Sequence, residues 1–238
     1  MLLFYIRHGD PIYDPDSLTP LGQRQAEAVA KRLALYGIDR IFASSSNRAQ
    51  LTSRPTCELL KKEATILDWC HENYAWRDFT FIDDTGRQVW GFQYDKVRPI
   101  YCSEEIVRLG DAWYDHPIFA GTRFKEGELR IKRETYAWLA ELGYAYDEEK
   151  RMYRAVRPNE ERIALFAHQG FGLSFLSRVL NIPHPIFCTR FDMGHTGMTV
   201  LEFDTNQEYV IPRVLTLAND SHLYKDGLPT RYQNRIYF

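Results

Sequence analysis

Apolar and polar positions follow two rhythms along this chain. Leu2 to Ile6 is an unbroken apolar run, partly β-branched and aromatic, of the kind that forms a strand buried on both faces. From Leu21 the spacing lengthens, and Gln25, Ala28, Val29, Arg32, Leu33 and Leu35 continue an amphipathic helix. Thr19 is its N-cap, Pro20 suits its first turn and Gly37 closes it. Between strand and helix, Asp10 to Asp16 carries two prolines and three aspartates and reads as loop. Arg40 to Ala43 is a second short strand, running into Ser44, Ser45, Ser46 and Asn47, residues suited to cap another helix. That helix, Arg48 to Lys62, contains Pro55, which predicts a kink or a separate first turn. Ala64 to Leu67 reads as a third strand.

Strand, helix, strand, helix, strand with short connections implies a parallel sheet with right-handed crossovers. The pattern breaks between about residues 70 and 160. There Phe79 to Phe92 reads as a hairpin or loop around Asp84-Thr85-Gly86, and Glu104 to Trp113 and Lys125 to Leu142 read as helices. Tyr144 to Val156 reads as two strands turning at Asp147-Glu148-Glu149-Lys150. The apolar run returns at Arg162 to Ala167, followed by His168-Gln169-Gly170 and an apolar helix from Phe171 to Leu180. Met198 to Phe203 and Ile211 to Leu217 suit two closing strands, one of them antiparallel at the edge. From Asn219 the tail is polar and tyrosine-rich. The expected fold is α/β, a three-layer α/β/α sandwich around a mostly parallel central sheet. Residues 1–238 form one domain in this reading, with 70–160 as an inserted cap region.

Composition narrows the partners. With 45% apolar and 26% charged residues the chain has an ordinary globular make-up, and a net charge of −2 offers no attraction to nucleic acid or an acidic membrane. No run approaches the ~20 apolar residues of a membrane helix, and the opening apolar run is too short for a signal peptide. The expected location is cytoplasmic. Cys57, Cys70, Cys102 and Cys188 are scattered and form no CxxC pair, so reduced thiols are expected and neither a zinc site nor a disulfide framework is. No His or carboxylate pair has metal-ligand spacing, and no cofactor is implied.

The chemistry-bearing residues stand at strand ends. Arg7 and His8 end the first strand, with Gly9 free to turn sharply after them, and His168 ends a later one. In open α/β sheets ligands sit beyond the carboxyl ends of the strands. Arg binds two oxyanion oxygens at once and His attacks, donates or ligates. The plain alternative is a loop Arg and His paired with nearby carboxylates. Two strand-end histidines, with Arg7 beside one and Arg48 ending a third strand, favour an oxyanion pocket. The Gln169 and Gly170 amides open a helix and add an anion site.

Four segments in order carry a resemblance: Arg7-His8-Gly9, Leu18-Thr19-Pro20-Leu21-Gly22-Gln23, Ser44-Ser45-Ser46-Asn47-Arg48-Ala49 and Ala167-His168-Gln169-Gly170. Together they resemble the histidine phosphatase superfamily, in its phosphoglycerate mutase-like branch, over residues 1–60 and 160–220. The resemblance implies a phosphate pocket of Arg7, His8, Arg48 and His168, with His8 becoming a phosphohistidine. It leaves one His8 nitrogen held by a backbone carbonyl near Gly9, and His168 as the charged partner. The family places a carboxylate after the third strand. Glu72, spaced after Arg48 as the family spaces it and flanked by Trp69, Tyr74 and Trp76, is the expected acid and base, with Asp68 as alternative.

Asp14, Trp76, His195 and Thr196 are candidate substrate contacts, His71 a rim residue, and Asp10 a partner of Arg7 or of a loop amide. His116 and His184 each precede proline and read as loop residues. Mutases of the family typically carry Asn at the position held here by Asp14, an anion where a phosphate contact is wanted. The expected activity is therefore a phosphomonoesterase acting on a small phosphorylated metabolite and releasing inorganic phosphate. A mutase-type phosphotransferase, or a silent member that binds a phosphorylated ligand or a protein, are the alternatives.

Overall fold

The computed structural model describes residues 1–230; the end of the tyrosine-rich tail, 231–238, lies outside the described residues. In chain order the elements are β1 (Leu2–Arg7), β2 (Pro11–Tyr13), β3 (Asp16–Leu18), α1 (Pro20–Tyr36), β4 (Arg40–Ser44), α2 (Asn47–Leu60) and β5 (Ala64–Leu67). Then follow α3 (Glu72–Asp78), β6 (Thr80–Ile82), β7 (Gln88–Trp90), α4 (Arg98–Tyr101), α5 (Glu104–Leu109), α6 (Phe124–Glu141), β8 (Tyr144–Asp147) and β9 (Met152–Ala155). The chain closes with β10 (Arg162–Ala167), α7 (Gln169–Val179), α8 (His184–Cys188), β11 (Met198–Glu202), β12 (Tyr209–Val210), β13 (Arg213–Asn219) and α9 (Ser221–Lys225). Two compact units share these elements: Met1–His71, Pro158–Gln169 and the chain from Met193 form the first, and Glu72–Arg157 with Gly170–Asp192 the second.

The first unit is built on a six-stranded sheet in the order β13-β11-β1-β10-β4-β5, flanked by helices. Strands β1, β10, β4 and β5 run parallel, whereas β11 is antiparallel to both β1 and β13. The reversed strand thus lies inside the sheet rather than at its edge. Alternate residues of four strands, among them Phe4, Ile6, Ile41, Ala43, Phe166 and Met198, pack on Val29 and Leu33 of α1. The intervening residues Leu3, Tyr5, Ile163 and Leu165 are equally buried, which explains the unbroken apolar runs.

Local signals set the helix ends. Thr19 accepts from the Gly22 amide at 3.0 Å, and Gly37, at φ 72°, donates to the Leu33 carbonyl at 3.1 Å. The predicted break at Pro55 does not occur. Helix α2 runs through it as one element from the Ser46 cap, since a proline removes a single donor while the turns on either side keep theirs. The predicted loop at Asp10–Asp16 is corrected too: β2 and β3 pair across it, with Pro11 opposite Leu18 and Tyr13 opposite Asp16.

The second unit carries the hairpins β6–β7 and β8–β9 where the turn residues predicted them. The helix expected over Glu104–Trp113 stops at Leu109, because Gly110 takes φ 54° and the chain continues as a 3₁₀ turn. Trp113, Phe119, Phe124, Phe79 and Tyr101 interlock as an aromatic core. His184 is corrected from loop to core: it opens α8, fully buried, its ring 4.8 Å from Phe79 and 5.6 Å from Trp113. Burial, then Arg178, pushes its pKa down to about 3.

Candidate active site

The register of the parallel strands assembles the pocket within the first unit. Arg7 pairs with Ala167 across β1 and β10, so His8 and His168 are the next residues on neighbouring strands. Their rings stand 5.2 Å apart, and the His8 amide donates to the Ala167 carbonyl at 2.9 Å. Two histidines far apart in sequence become neighbours because one strand was laid beside the other.

His8 is oriented by its own turn. Its Nδ1 lies 2.7 Å from the Gly9 carbonyl, which can only accept, so Nδ1 carries the hydrogen and Nε2 keeps a lone pair. Burial, then Arg7 and Arg48, lowers the His8 pKa well below its ordinary value, so the imidazole is neutral. The turn requires glycine. A Cβ on Gly9 would stand 2.6 Å from the Gly22 carbonyl oxygen, a main-chain atom with no freedom to move aside. The Gly9 amide donates to Thr52 Oγ1 of α2 at 3.0 Å, tying the turn to the helix that carries Arg48.

Both arginines are buried and held. Arg7 Nη1 donates to the Met193 carbonyl at 2.6 Å. Arg48 Nη1 lies 2.8 Å from Asp16 Oδ1, the Tyr13 ring covers its guanidinium at 5.4 Å, and its Nε is buried with no hydrogen-bond partner among the described residues. Asp16 Oδ2 accepts from the Asn47 amide at 2.7 Å, so the β2–β3 hairpin is pinned to the start of α2. Asp14, a candidate substrate contact, sits exposed in the hairpin turn, and the carboxylate on Arg48 is Asp16, which the sequence reading did not single out. Its aspartate-rich loop was the visible signal, but only strand pairing distinguishes the two.

His168 is clamped through its main chain: Tyr5 Oη donates to its carbonyl at 2.6 Å and accepts from its amide at 3.2 Å. Its Nε2 lies 2.8 Å from Ser44 Oγ and 3.3 Å from Ser46 Oγ, and its Nδ1 is buried without a partner among the described residues. Burial, then His8 and Arg48, holds its pKa well below the ordinary value, because the pocket's own charges are positive. Ser44, Ser46, Tyr5 and Thr52 had been read only as cap, strand or helix residues; their contact with the pocket follows from strand adjacency.

Two more imidazoles border this cluster. The His71 ring is 6.1 Å from that of His168, and the His195 ring 5.8 Å from that of His8. His195 Nδ1 is 3.4 Å from Asp10 Oδ1, while Asp10 Oδ2 accepts from Thr19 Oγ1 at 2.7 Å. The Thr196 amide donates to the carbonyls of Arg7 and His8, at 3.1 and 3.3 Å, from a left-handed backbone with φ 55°.

Glu72, Trp76 and Gly170 belong to the second unit. Glu72 opens α3, and its two carboxylate oxygens accept from the Gly170 and Phe171 amides, each at 2.8 Å. The Gly170 amide, expected to bind phosphate, is therefore engaged by Glu72; a carboxylate meets the positive end of α7 there. Gln169, the first residue of α7, is buried. Trp76 meets Trp90 edge-on at 4.9 Å, and Trp90 lies over Gly170 so closely that a Cβ there would stand 2.3 Å from its ring.

A neutral imidazole with a free lone pair, two guanidiniums and a second imidazole can together attack a phosphoryl group and carry its equatorial oxygens. Among the described residues the four cysteines are unbridged, and no group of His, Cys, Asp or Glu is arranged to hold a metal. No described helix is long and apolar enough to cross a membrane.

Residues 3–87 match the family model described as Histidine phosphatase superfamily (branch 1). The structure is similar over its length to a phosphoserine phosphatase mutant from Entamoeba histolytica in complex with phosphoserine. Identity is 17%, the match covers 93% of this chain and 98% of that one, and the TM-score is 0.59. It is similar also to a mycobacterial glucosyl-3-phosphoglycerate phosphatase in complex with inorganic phosphate, at 20% identity, 93% and 98% coverage and a TM-score of 0.58. No curated protein matches the chain. The resemblance to the histidine phosphatase superfamily thus stands on two grounds, a family match over residues 3–87 and a shared fold.

Proposed function

We propose that the protein is a metal-independent phosphomonoesterase that transfers the phosphoryl group of a small metabolite to His8 and then to water. The observation that carries this reading is the 2.7 Å contact of His8 Nδ1 with the Gly9 carbonyl, which leaves Nε2 to attack. In this reading Arg7, Arg48 and His168 supply the donors for the three equatorial oxygens, and such charge-assisted donors replace the work of a metal ion. Phosphate dianion between two arginines would raise the pKa of His168 and let it donate from both nitrogens.

The similar structures are phosphatases whose names specify phosphoserine and glucosyl-3-phosphoglycerate, which supports a small phosphorylated metabolite as substrate. The leaving alkoxide needs a proton and the attacking water must lose one. Glu72 is the candidate that the sequence supplies for this exchange.

The test is phosphate release from p-nitrophenyl phosphate with EDTA present, for wild type and His8→Ala. EDTA-resistant turnover lost in His8→Ala is the expected result. Turnover that survives the substitution removes His8 as nucleophile.

A further inference from the structure

We propose that the open cavity between α1 and α9 is a second ligand site, for a small aryl acid that carries an N–H or O–H group. The cavity lies within the first unit and shares no residue with the phosphate pocket, so the proposal is independent of the phosphohistidine reading.

The two helices give the cavity its shape and its apolar side. Its volume is about 380 Å³, at the small end of the range in which proteins hold small molecules. Ala28 of α1 closes the floor, buried with Leu223 and Leu228. Leu35 and Tyr36, further along α1, line the cavity and are exposed. Apolar side chains so open to water gain from being covered, and a flat ring is the shape that covers a leucine and a tyrosine together.

Charge selects the sign of the ligand. Lys31, Arg32 and Lys225 line the cavity with a single carboxylate, Asp226. Lys31 Nζ lies 2.6 Å from Asp226 Oδ2, which neutralises that pair. Arg32 Nη1 donates to neutral acceptors, Asn219 Oδ1 at 2.5 Å and Ser221 Oγ at 3.1 Å. Lys225 forms no ion pair among the described residues. Three cations against one carboxylate leave two positive charges, one on each helix. An exposed ion pair alone contributes little, so the anion has to be joined to the apolar body that Leu35 and Tyr36 favour.

A buried acceptor completes the site. His222 lines the same cavity and is 4% exposed. Thr196 Oγ1 donates to the His195 carbonyl at 2.7 Å, so its lone pair accepts from His222 Nε2 at 3.0 Å. That fixes the tautomer: Nε2 carries the hydrogen and Nδ1 keeps a lone pair. Nδ1 is buried with no hydrogen-bond partner among the described residues. Burial, then Arg32, pushes the His222 pKa down to about 4 against the opposing pull of Asp226, so Nδ1 remains an acceptor near neutral pH. A bare acceptor in a cavity wall costs free energy that a donor on the ligand recovers.

The experiment uses the fluorescent probe anilinonaphthalene sulfonate, which combines an anion, flat rings and one N–H. It is titrated into wild type, Lys225→Glu, Leu35→Glu and Tyr224→Glu, each shown to be folded by a thermal melt. Tyr224 is exposed on the same helix as Lys225 but does not line the cavity, so its variant controls for added charge. The expected result is saturable binding of one probe per chain. Both cavity variants should weaken it roughly tenfold or more, and Tyr224→Glu by less than about twofold. Orthovanadate, which mimics the phosphoryl group, should leave the affinity unchanged. Unchanged binding in both cavity variants, or equal weakening in all three, would overturn the proposal. So would displacement by orthovanadate, which would put the probe in the phosphate pocket instead.

Discussion

His8 and Gly9 close on each other: the imidazole Nδ1 stands 2.7 Å from the carbonyl of the next residue. The His8 imidazole, the proposed nucleophile, is therefore set by the residue that follows it, and its tautomer does not depend on a distant partner. A phosphoenzyme trapped by rapid denaturation should carry a label that is stable to base and lost in acid, and His8→Ala should carry none. Because burial keeps His8 neutral well below its ordinary pKa, lowering the pH from 8 to 6 should cost no activity through this residue.

Arg48 is held on one side by Asp16 and covered by Tyr13. A lysine cannot reproduce the planar fork, so Arg48→Lys should lower kcat/KM by roughly 10²-fold or more, read by steady-state kinetics. Asp16→Asn keeps an acceptor for the Asn47 amide and should lose less than Arg48→Lys, through looser placement of the guanidinium.

Gly170 and Trp90 leave no room for a methyl group between them. Gly170→Ala should destabilise the protein by about 1–3 kcal/mol in a denaturant melt, and Trp90→Leu in the same chain should recover part of that. No recovery would mean that the strain lies in the helix backbone instead.

Glu128 and Arg178 form a hydrogen-bonded ion pair in the second unit, 1% and 4% exposed. Glu128→Leu leaves a buried guanidinium and should cost about 3–5 kcal/mol, whereas the double variant with Arg178→Met should lie much closer to wild type. Urea unfolding of the three proteins measures the difference.

His8, His168, His184, His195 and His222 all have pKa values pushed down, chiefly by burial. The unfolded chain then binds more protons than the folded one between those values and about 6.5, so stability rises with pH across that window. It is lost as pH falls below about 6.5. For His184, at about 3, lowering the pH from 6.5 to 5 should remove about 2 kcal/mol. Melting temperatures should drop accordingly, and His184→Phe, which keeps a ring against Phe79, should flatten the slope by about 1.4 kcal/mol per pH unit.

The strand-turn pattern at Arg7-His8-Gly9 and Ala167-His168, the Thr19 and Ser46 caps and the αL closure at Gly37 were legible in the sequence. Each is a local event: a run of apolar side chains, an oxygen within reach of a nearby amide, a glycine that tolerates positive φ. A carbonyl near Gly9 was implied only by the resemblance, and the structure makes it Gly9's own. Other features had no local signature. Nothing within Met198 to Phe203 shows that the strand would insert antiparallel between two others, because its neighbours are chosen by sheet order. Asp14 and Asp16 are equivalent in composition, and only the β2–β3 register puts Asp16 on Arg48. His184 before a proline resembles any loop histidine until an aromatic core closes around it. Pro55 broke a local rule that the surrounding helix absorbed. The sequence alone showed which residues could do chemistry and where strands such as β5 and β10 would end. Tertiary structure decided which of them meet, because contacts between distant segments depend on register and burial, which no short stretch of chain encodes.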